Sequence, residues 1–227
     1  MFDQIPGFLN IRNSFFEFMR KMMWVFFLNL IFIVTSLPII TMGASTTAMY
    51  SVLQKLINER EFRLFKDYFS SFKRNFVKST LIWLVCAVII LICGIDLLFF
   101  INLAVKQGGI GIVLLVASIL IIIAIFMVLL PIAPVLAEFE GSISDTMTVV
   151  FFMVKRNIRK SFMAVVSTTL IIGFTLYIIL YGELIFIYFP LLTFALNGFV
   201  LSYIYDSIFR KYYKEDEELE EYDGSEE

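Results

Sequence analysis

Five runs of about twenty apolar residues, at roughly 22–40, 79–104, 110–136, 161–181 and 184–206, leave this chain few ways to fold. Each is long enough, as a helix, to cross a ~30 Å hydrocarbon core. Inside a bilayer every backbone N–H and C=O needs a partner within the protein, and a helix supplies those partners from its own segment. The sequence therefore predicts an all-α, polytopic transmembrane bundle. A weaker sixth segment, Ile39 to Leu56, is rich in small residues. With it the chain has six membrane segments; the alternative is five full spans plus one re-entrant segment.

A basic phrase recurs 82 residues apart and sets the orientation. Lys73-Arg74-Asn75-Phe76-Val77-Lys78-Ser79 returns as Lys155-Arg156-Asn157-Ile158-Arg159-Lys160-Ser161, each time directly before an apolar run. Lys and Arg beside a span mark its cytoplasmic end. Six segments with both termini inside put seventeen of the eighteen Lys and Arg on the cytoplasmic side and leave only Lys106 outside. Five spans with an external N-terminus move Arg12, Arg20 and Lys21 outside, which the positive-inside rule disfavours.

The residues ahead of each basic phrase extend the repeat. Phe62, Phe65, Phe69, Phe72 and Phe76 follow a 3-4-3-4 spacing that lines one face of a helix. Met147, Phe151, Val154 and Ile158 share that phase, and so do Phe8, Ile11, Phe15, Phe18 and Met22. The unit reads as an amphipathic helix, a basic knot, a span outward and a span back, written three times. Amphipathic helices are expected over 1–21, about 62–78 and 143–160, within or ahead of a transmembrane domain at 22–214. Their Phe62, Phe65, Phe69 and Phe72, with Lys73, Arg74, Lys155, Arg156, Arg159 and Lys160, are candidate contacts to anionic headgroups or to a partner protein. Packing against the bundle is the competing fate.

Composition narrows the chemistry. The chain is 60% hydrophobic with no histidine, which removes the commonest general base and metal ligand. Cys86 and Cys93 lie seven apart on one expected helix, ~10 Å in rise, too far for a disulfide. No Walker loop, HExxH, GxSxG or paired membrane aspartates occur, so no catalytic, cofactor-binding or metal residues are expected, and no nucleic-acid partner. Nine of the twenty acidic residues fall between Glu215 and Glu227. That tail, 215–227, is expected to be disordered.

Polar groups inside the bilayer are costly and draw notice. Asn29 and Asn197 fall nearest the midplane, where an amide is expected to bond across helices. Asp96 falls close to the outer interface, with Lys106 as a candidate partner. Pro38, Thr41, Gly43, Ser45, Thr46 and Thr47 form a candidate helix break, and Pro131 and Pro134 a second; Pro190 is expected to kink the last span. Hydroxyls satisfy backbone freed at such breaks, and broken helices also form substrate sites in transporters.

The stretch Ser36-Leu37-Pro38-Ile39-Ile40-Thr41-Met42-Gly43-Ala44-Ser45-Thr46-Thr47-Ala48-Met49-Tyr50 resembles the signature of the YesL-like (DUF624) bacterial membrane proteins. These carry a Leu-Pro-x-x-Thr-x-Gly segment after the first span, an Ala-rich helix and a Phe/Lys-rich amphipathic stretch, here Phe65 to Phe76. The resemblance implies a multi-pass protein of the bacterial plasma membrane, often encoded beside carbohydrate ABC importers. It carries no known activity. The expected function is a non-catalytic accessory or scaffold component of carbohydrate uptake, with ABC permease subunits as partners and a homo-oligomer left open. The alternative is a small transporter for a sugar or related solute, and a third reading is a lipid-organising protein.

Overall fold

A computed structural model of the chain describes the backbone of residues 6–181 and 190–223, and the side chains of 15–181 and 193–213. The described residues are helical throughout, without strands. Helix α1 (Pro6–Ser36) leads through a single 3-10 turn (Ile39–Thr41) into α2 (Met42–Ile57). Then come α3 (Leu64–Gln107), α4 (Gly109–Leu129), the short α5 (Ile132–Glu138), α6 (Ile143–Arg156), α7 (Ile158–Tyr181) and α8 (Pro190–Asp223). Among the described residues four stretches are long and apolar enough to cross a membrane: Phe15–Ser36, Leu64–Gln107, Gly109–Glu138 and Ile158–Tyr181.

Two of the expected amphipathic helices are not separate elements. Helix α1 runs past residue 21, and α3 past residue 78, without a break. The reason is local: no Gly or Pro interrupts 8–37 or 64–93, so nothing stops the i to i−4 ladder. At 44 residues, α3 is ~66 Å long, more than twice the hydrocarbon thickness. The third copy is separate, as α6. Its start is fixed by a capping box in which Ser142 Oγ accepts from Asp145 N while Asp145 Oδ2 accepts from Ser142 N.

The buried face of α3 is also not the phenylalanine face. Leu64, Tyr68, Ser71, Asn75, Ser79, Ile82 and Cys93 are the residues buried there. Phe65 (65% exposed) and Phe69 (42% exposed) point outward, whereas Phe62 and Phe72 pack on the core from the flanks. Small and polar side chains let helices approach and bond to one another, while large apolar ones suit lipid.

The weak sixth segment turns out to be the hub. Twelve of the sixteen residues of α2 are buried, among α1, α3, α5 and α8. A helix enclosed on all sides must be small or apolar all round, which accounts for its Gly, Ala, Ser and Thr content. By contrast, only Gly111, Ser118 and Met127 are buried on α4, whose other faces are apolar and open. Helix α3 turns into α4 at Gly108, whose φ of 62° is a conformation open to glycine.

Helix α8 is described from Pro190 onward; residues 182–189, which hold the start of the run expected over 184–206 and the approach to the kink expected at Pro190, lie outside the described residues. The acidic segment, expected to be disordered from Glu215, is helical to Asp223. Glu and Leu are good helix formers, and no Gly or Pro occurs between Gly198 and Gly224. Residues 224–227 lie outside the described residues.

Candidate functional site

The intramembrane polar groups are the first place to look for chemistry. Asn29 is 1% exposed, and its Oδ1 accepts from Ala195 N at 3.0 Å. Asn197 Oδ1 accepts from Thr168 Oγ1 at 3.1 Å. Each asparagine therefore joins two helices, α1 to α8 and α7 to α8. Asp96 does not reach Lys106: ten residues separate them on one continuous helix, ~15 Å. Its carboxylate instead accepts from Ser118 Oγ on α4.

The first helix break is satisfied from within. Thr41 Oγ1 donates to the carbonyls of Thr35 and Pro38, both at 2.7 Å; Thr46 Oγ1 donates to Met42 O and Thr47 Oγ1 to Gly43 O. Tyr68 OH donates to Ser45 O at 3.3 Å and bonds Thr35 Oγ1 at 2.6 Å. Ser79 Oγ donates to Thr47 Oγ1 at 2.9 Å. Gly43 lets α2 and α3 cross at backbone distance: a Cβ there would meet the Ser79 carbonyl and lie 2.5 Å from Trp83 Cβ. Pro38 sits at the turn itself, tied to α3 by Trp83 Nε1 donating to Ile39 O at 2.9 Å.

The second break falls at Pro131, between α4 and α5, and Pro134 lies in the first turn of α5. The fold brings it against the first. Gln54 Nε2 donates to Pro134 O at 3.1 Å. A cavity of about 200 Å³ lies between the two breaks, lined by Gly43, Thr46, Thr47, Tyr50, Ser79 and Trp83 on one side and Leu130, Ile132 and Ala133 on the other. Sequence patterning pointed to both breaks. It missed Tyr50, Ser79 and Trp83, which reach the cavity only through the α2–α3 crossing.

A second site is ionic. A cleft of about 680 Å³ lies between α1 and the loop joining α2 to α3. Arg20, Lys21 and Trp24 come from α1; Glu59, Arg60, Glu61, Phe62, Arg63, Lys66 and Asp67 come from the loop and the start of α3. The loop is set by the end of α2. Glu59 adopts φ 54°, and Arg60 N donates back to Lys55 O at 3.0 Å, which closes the helix as a Schellman turn. Glycine is the usual residue there, and a glutamate costs about 1 kcal/mol or more in that conformation. Its carboxylate holds Lys21 at 3.2 Å. Hydrogen bonding from Lys21, with further help from Glu17, keeps the Glu59 carboxyl below its ordinary range.

The other charged residues pair at the same end of the bundle. Lys55 meets Asp67 at 3.2 Å, Arg60 meets Glu138 at 3.6 Å and Arg74 meets Glu140 at 3.0 Å. Arg210 bonds Asp206 at 2.7 Å and Asn58 at 2.9 Å, and Lys160 bonds Ser207. Lys73, Lys155 and Arg159 are exposed; Arg156 lies over the Tyr212 ring at 5.6 Å. Through Lys21 and Arg210, both of which reach the Asn58–Glu59 turn, α1 and α8 share this face. Lys106 lies at the far end of α3, ~42 Å beyond Lys78. Among the described residues no cluster of His, Cys, Asp and Glu suits a metal ion.

Residues 14–97 match the DUF624 family, described as a protein of unknown function. Over that stretch the chain is similar to the DUF624 proteins. No curated protein and no solved structure matches it. The DUF624 stretch holds α1 from residue 14, all of α2 and most of α3. The ionic cleft falls wholly inside it, and the apolar cavity falls inside it except for the walls given by α4 and α5.

Proposed function

We propose that this chain is a non-catalytic accessory or scaffold component of the bacterial plasma membrane, serving carbohydrate uptake by docking to the membrane subunits of an ABC importer. One observation carries the non-catalytic part. Of the polar groups marked within the apolar segments, Asn29, Asn197, Asp96 and Thr47 bond across helices, and Thr41 and Thr46 bond backbone carbonyls beside them, while Ser45 Oγ is buried without a partner. Carriers driven by ions normally keep intramembrane charge for the purpose. The ionic face offers the recognition surface instead. The importer as partner follows from the company such proteins keep in the resemblance drawn above. Affinity capture from native membranes in mild detergent, followed by mass spectrometry, is the test. Stoichiometric recovery of an importer's membrane subunit is expected; recovery of the chain alone, with sugar uptake unchanged on deletion, sinks the reading.

In this reading the ionic face, with both termini, lies on the cytoplasmic side, and α1–α2 is a re-entrant hairpin. At 16 residues, α2 rises only ~24 Å, short of a full crossing. Its turn meets α3 at Trp83, ~36 Å before α3 ends at Gln107. A cysteine at Thr41 is expected to resist membrane-impermeant thiol reagents added outside the cell. Rapid external labelling would require a hairpin that crosses the bilayer.

The cavity between the two breaks favours a second reading, a small transporter for a sugar or related solute, because paired helix breaks around a cavity are a carrier's usual substrate site. Solute flux in liposomes that responds to Thr46→Val or Tyr50→Phe would move the weight to it.

A further inference from the structure

We propose that the ionic cleft between α1 and the α2–α3 loop is a binding site for the phosphate of an anionic lipid headgroup. Five cations and three carboxylates line it, but they are not equally committed. Lys21 is taken by Glu59 and Glu17, Arg60 by Glu138, and Asp67 by Lys55 together with the Arg63 backbone N–H. The side chains of Arg63 and Lys66 make no ion pair or hydrogen bond among the described residues, and Arg20 has only a loose 3.8 Å approach to Glu17. Glu61 is the one lining carboxylate left unpaired. The cleft therefore presents three available cations against one carboxylate. A guanidinium is the side chain best shaped to grip a phosphate by two oxygens. The positive end of the long helix α3 opens at the same place and adds to the attraction.

The surroundings select a lipid over a free anion. On the α1 side, Phe15, Phe16, Phe18 and Met19 are exposed next to Arg20; on the α3 side, Phe65 and Phe69 are exposed next to Lys66. A soluble anion would have no use for apolar walls on both flanks, whereas acyl chains below a headgroup would cover them. Trp24 lines the cleft and packs edge-on against Phe62, with ring centroids 5.4 Å apart. Tryptophan is the residue most at home at headgroup depth. The turn that shapes the cleft keeps a glutamate in a left-handed conformation, a strain that is retained where a side chain must be held in place.

The test uses the purified full chain in mild detergent, with native mass spectrometry counting retained phosphatidylglycerol against phosphatidylcholine of the same chain length. Wild type is expected to retain phosphatidylglycerol preferentially. The double variant Arg63→Gln/Lys66→Gln is expected to weaken that retention about thirtyfold, the effect of two surface cations together. An equal charge change elsewhere, Lys106→Gln/Lys211→Gln, is expected to leave it unchanged. Arg20→Gln, on the other wall, should give a smaller loss in the same direction and serves if the double variant does not fold. Equal losses from both double variants would reduce the effect to general surface charge and overturn the site. Competition by soluble glycerol phosphate at concentrations similar to the lipid would overturn the lipid in favour of a free anion. The measurement contains no partner protein, so its outcome is independent of importer docking.

Discussion

Lys73-Arg74-Asn75 and Lys155-Arg156-Asn157 are the same three residues in one chain, yet the backbone treats them differently. At the first, α3 passes straight through. Asn75 is buried and bonds Ser71 Oγ, and Ser79 reaches Thr47 on the antiparallel α2. At the second, the helix stops: Asn157 takes φ −125° and ψ 45°, closes α6 through Met153 O, and accepts Ser161 N to start α7. Its side chain donates to Tyr212 OH at 3.3 Å, and Tyr212 also meets Phe152 and Arg156. Local sequence allows either outcome, since asparagine is a modest helix former and a good terminator. The neighbour decides. A continuous α3 keeps its contact with α2 along the whole hairpin, while α8 offers Asn157 a partner only where the chain bends.

The largest expected effect comes from proline at equivalent positions of the two phrases. Phe76→Pro removes a ladder bond inside α3 and should cost about 3 kcal/mol or more. Ile158→Pro falls at the first position of α7, where proline is favoured, and should leave the protein folded. Thermal unfolding in detergent, followed by circular dichroism, separates the two; equal damage from both would mean that the α6–α7 break is not a fixed feature. Next in size is Gly43→Ala, which wedges α2 away from Ser79 and Trp83 and should cost about 1–3 kcal/mol. Gly94→Ala, with open space around it, should be neutral or stabilising by up to about 1 kcal/mol. A Gly43→Ala protein as stable as wild type would show that α3 does not depend on α2 for its course.

Smaller effects test the hydrogen bonds of each copy. Ser79→Ala removes the donor to Thr47, and Tyr212→Phe the acceptor for Asn157. Each should cost about 0.6 kcal/mol, typical of a bond between membrane helices. A double-mutant cycle pairing Asn157→Ala with Tyr212→Phe should show coupling of that size, and none with Ser79→Ala. The smallest effect belongs to acid. Hydrogen bonds from the side chain and backbone of Ser142 hold the Asp145 carboxyl below its ordinary 3.8. A depressed carboxylate stabilises above its unfolded value and loses that contribution as pH falls through the folded one. Amide exchange at Thr146 is therefore expected to speed up below about pH 4, while amides around Asn75 stay protected. Faster exchange at both copies would place the acid-sensitive step outside the capping box.

Much of the architecture was legible in the sequence because bilayer physics acts on composition over windows of about twenty residues. The apolar runs at 79–104 and 161–181 are found on long helices, and that at 110–136 on α4 and the short α5 that follows it. The breaks at Pro38 and Pro131 were legible because proline is a backbone constraint that travels with the residue. The phenylalanine stripe left its surroundings open, since a 3-4-3-4 pattern identifies a face without saying whether that face meets protein or lipid; Phe65 and Phe69 are exposed, and the inner face is Leu64, Tyr68, Ser71, Asn75 and Ser79. The ionic cleft was hidden for a different reason. Arg20 and Arg63 lie 43 positions apart, and only the α1–α2 hairpin makes them neighbours.

By itself the sequence determined that this chain is helical and membrane-embedded, where its basic clusters fall, and which residues interrupt its helices. These are properties of short windows and single backbone units. Tertiary structure alone decided that the least hydrophobic segment, α2, is the hub, and that one basic phrase bends while its twin stays straight. It also brought two helix breaks around one cavity. The reason is that lipid and protein interior are both apolar, so hydrophobicity cannot say which faces pair. That choice falls to close packing at Gly43 and to hydrogen bonds such as Asn29 to Ala195, which exist only after the helices have met.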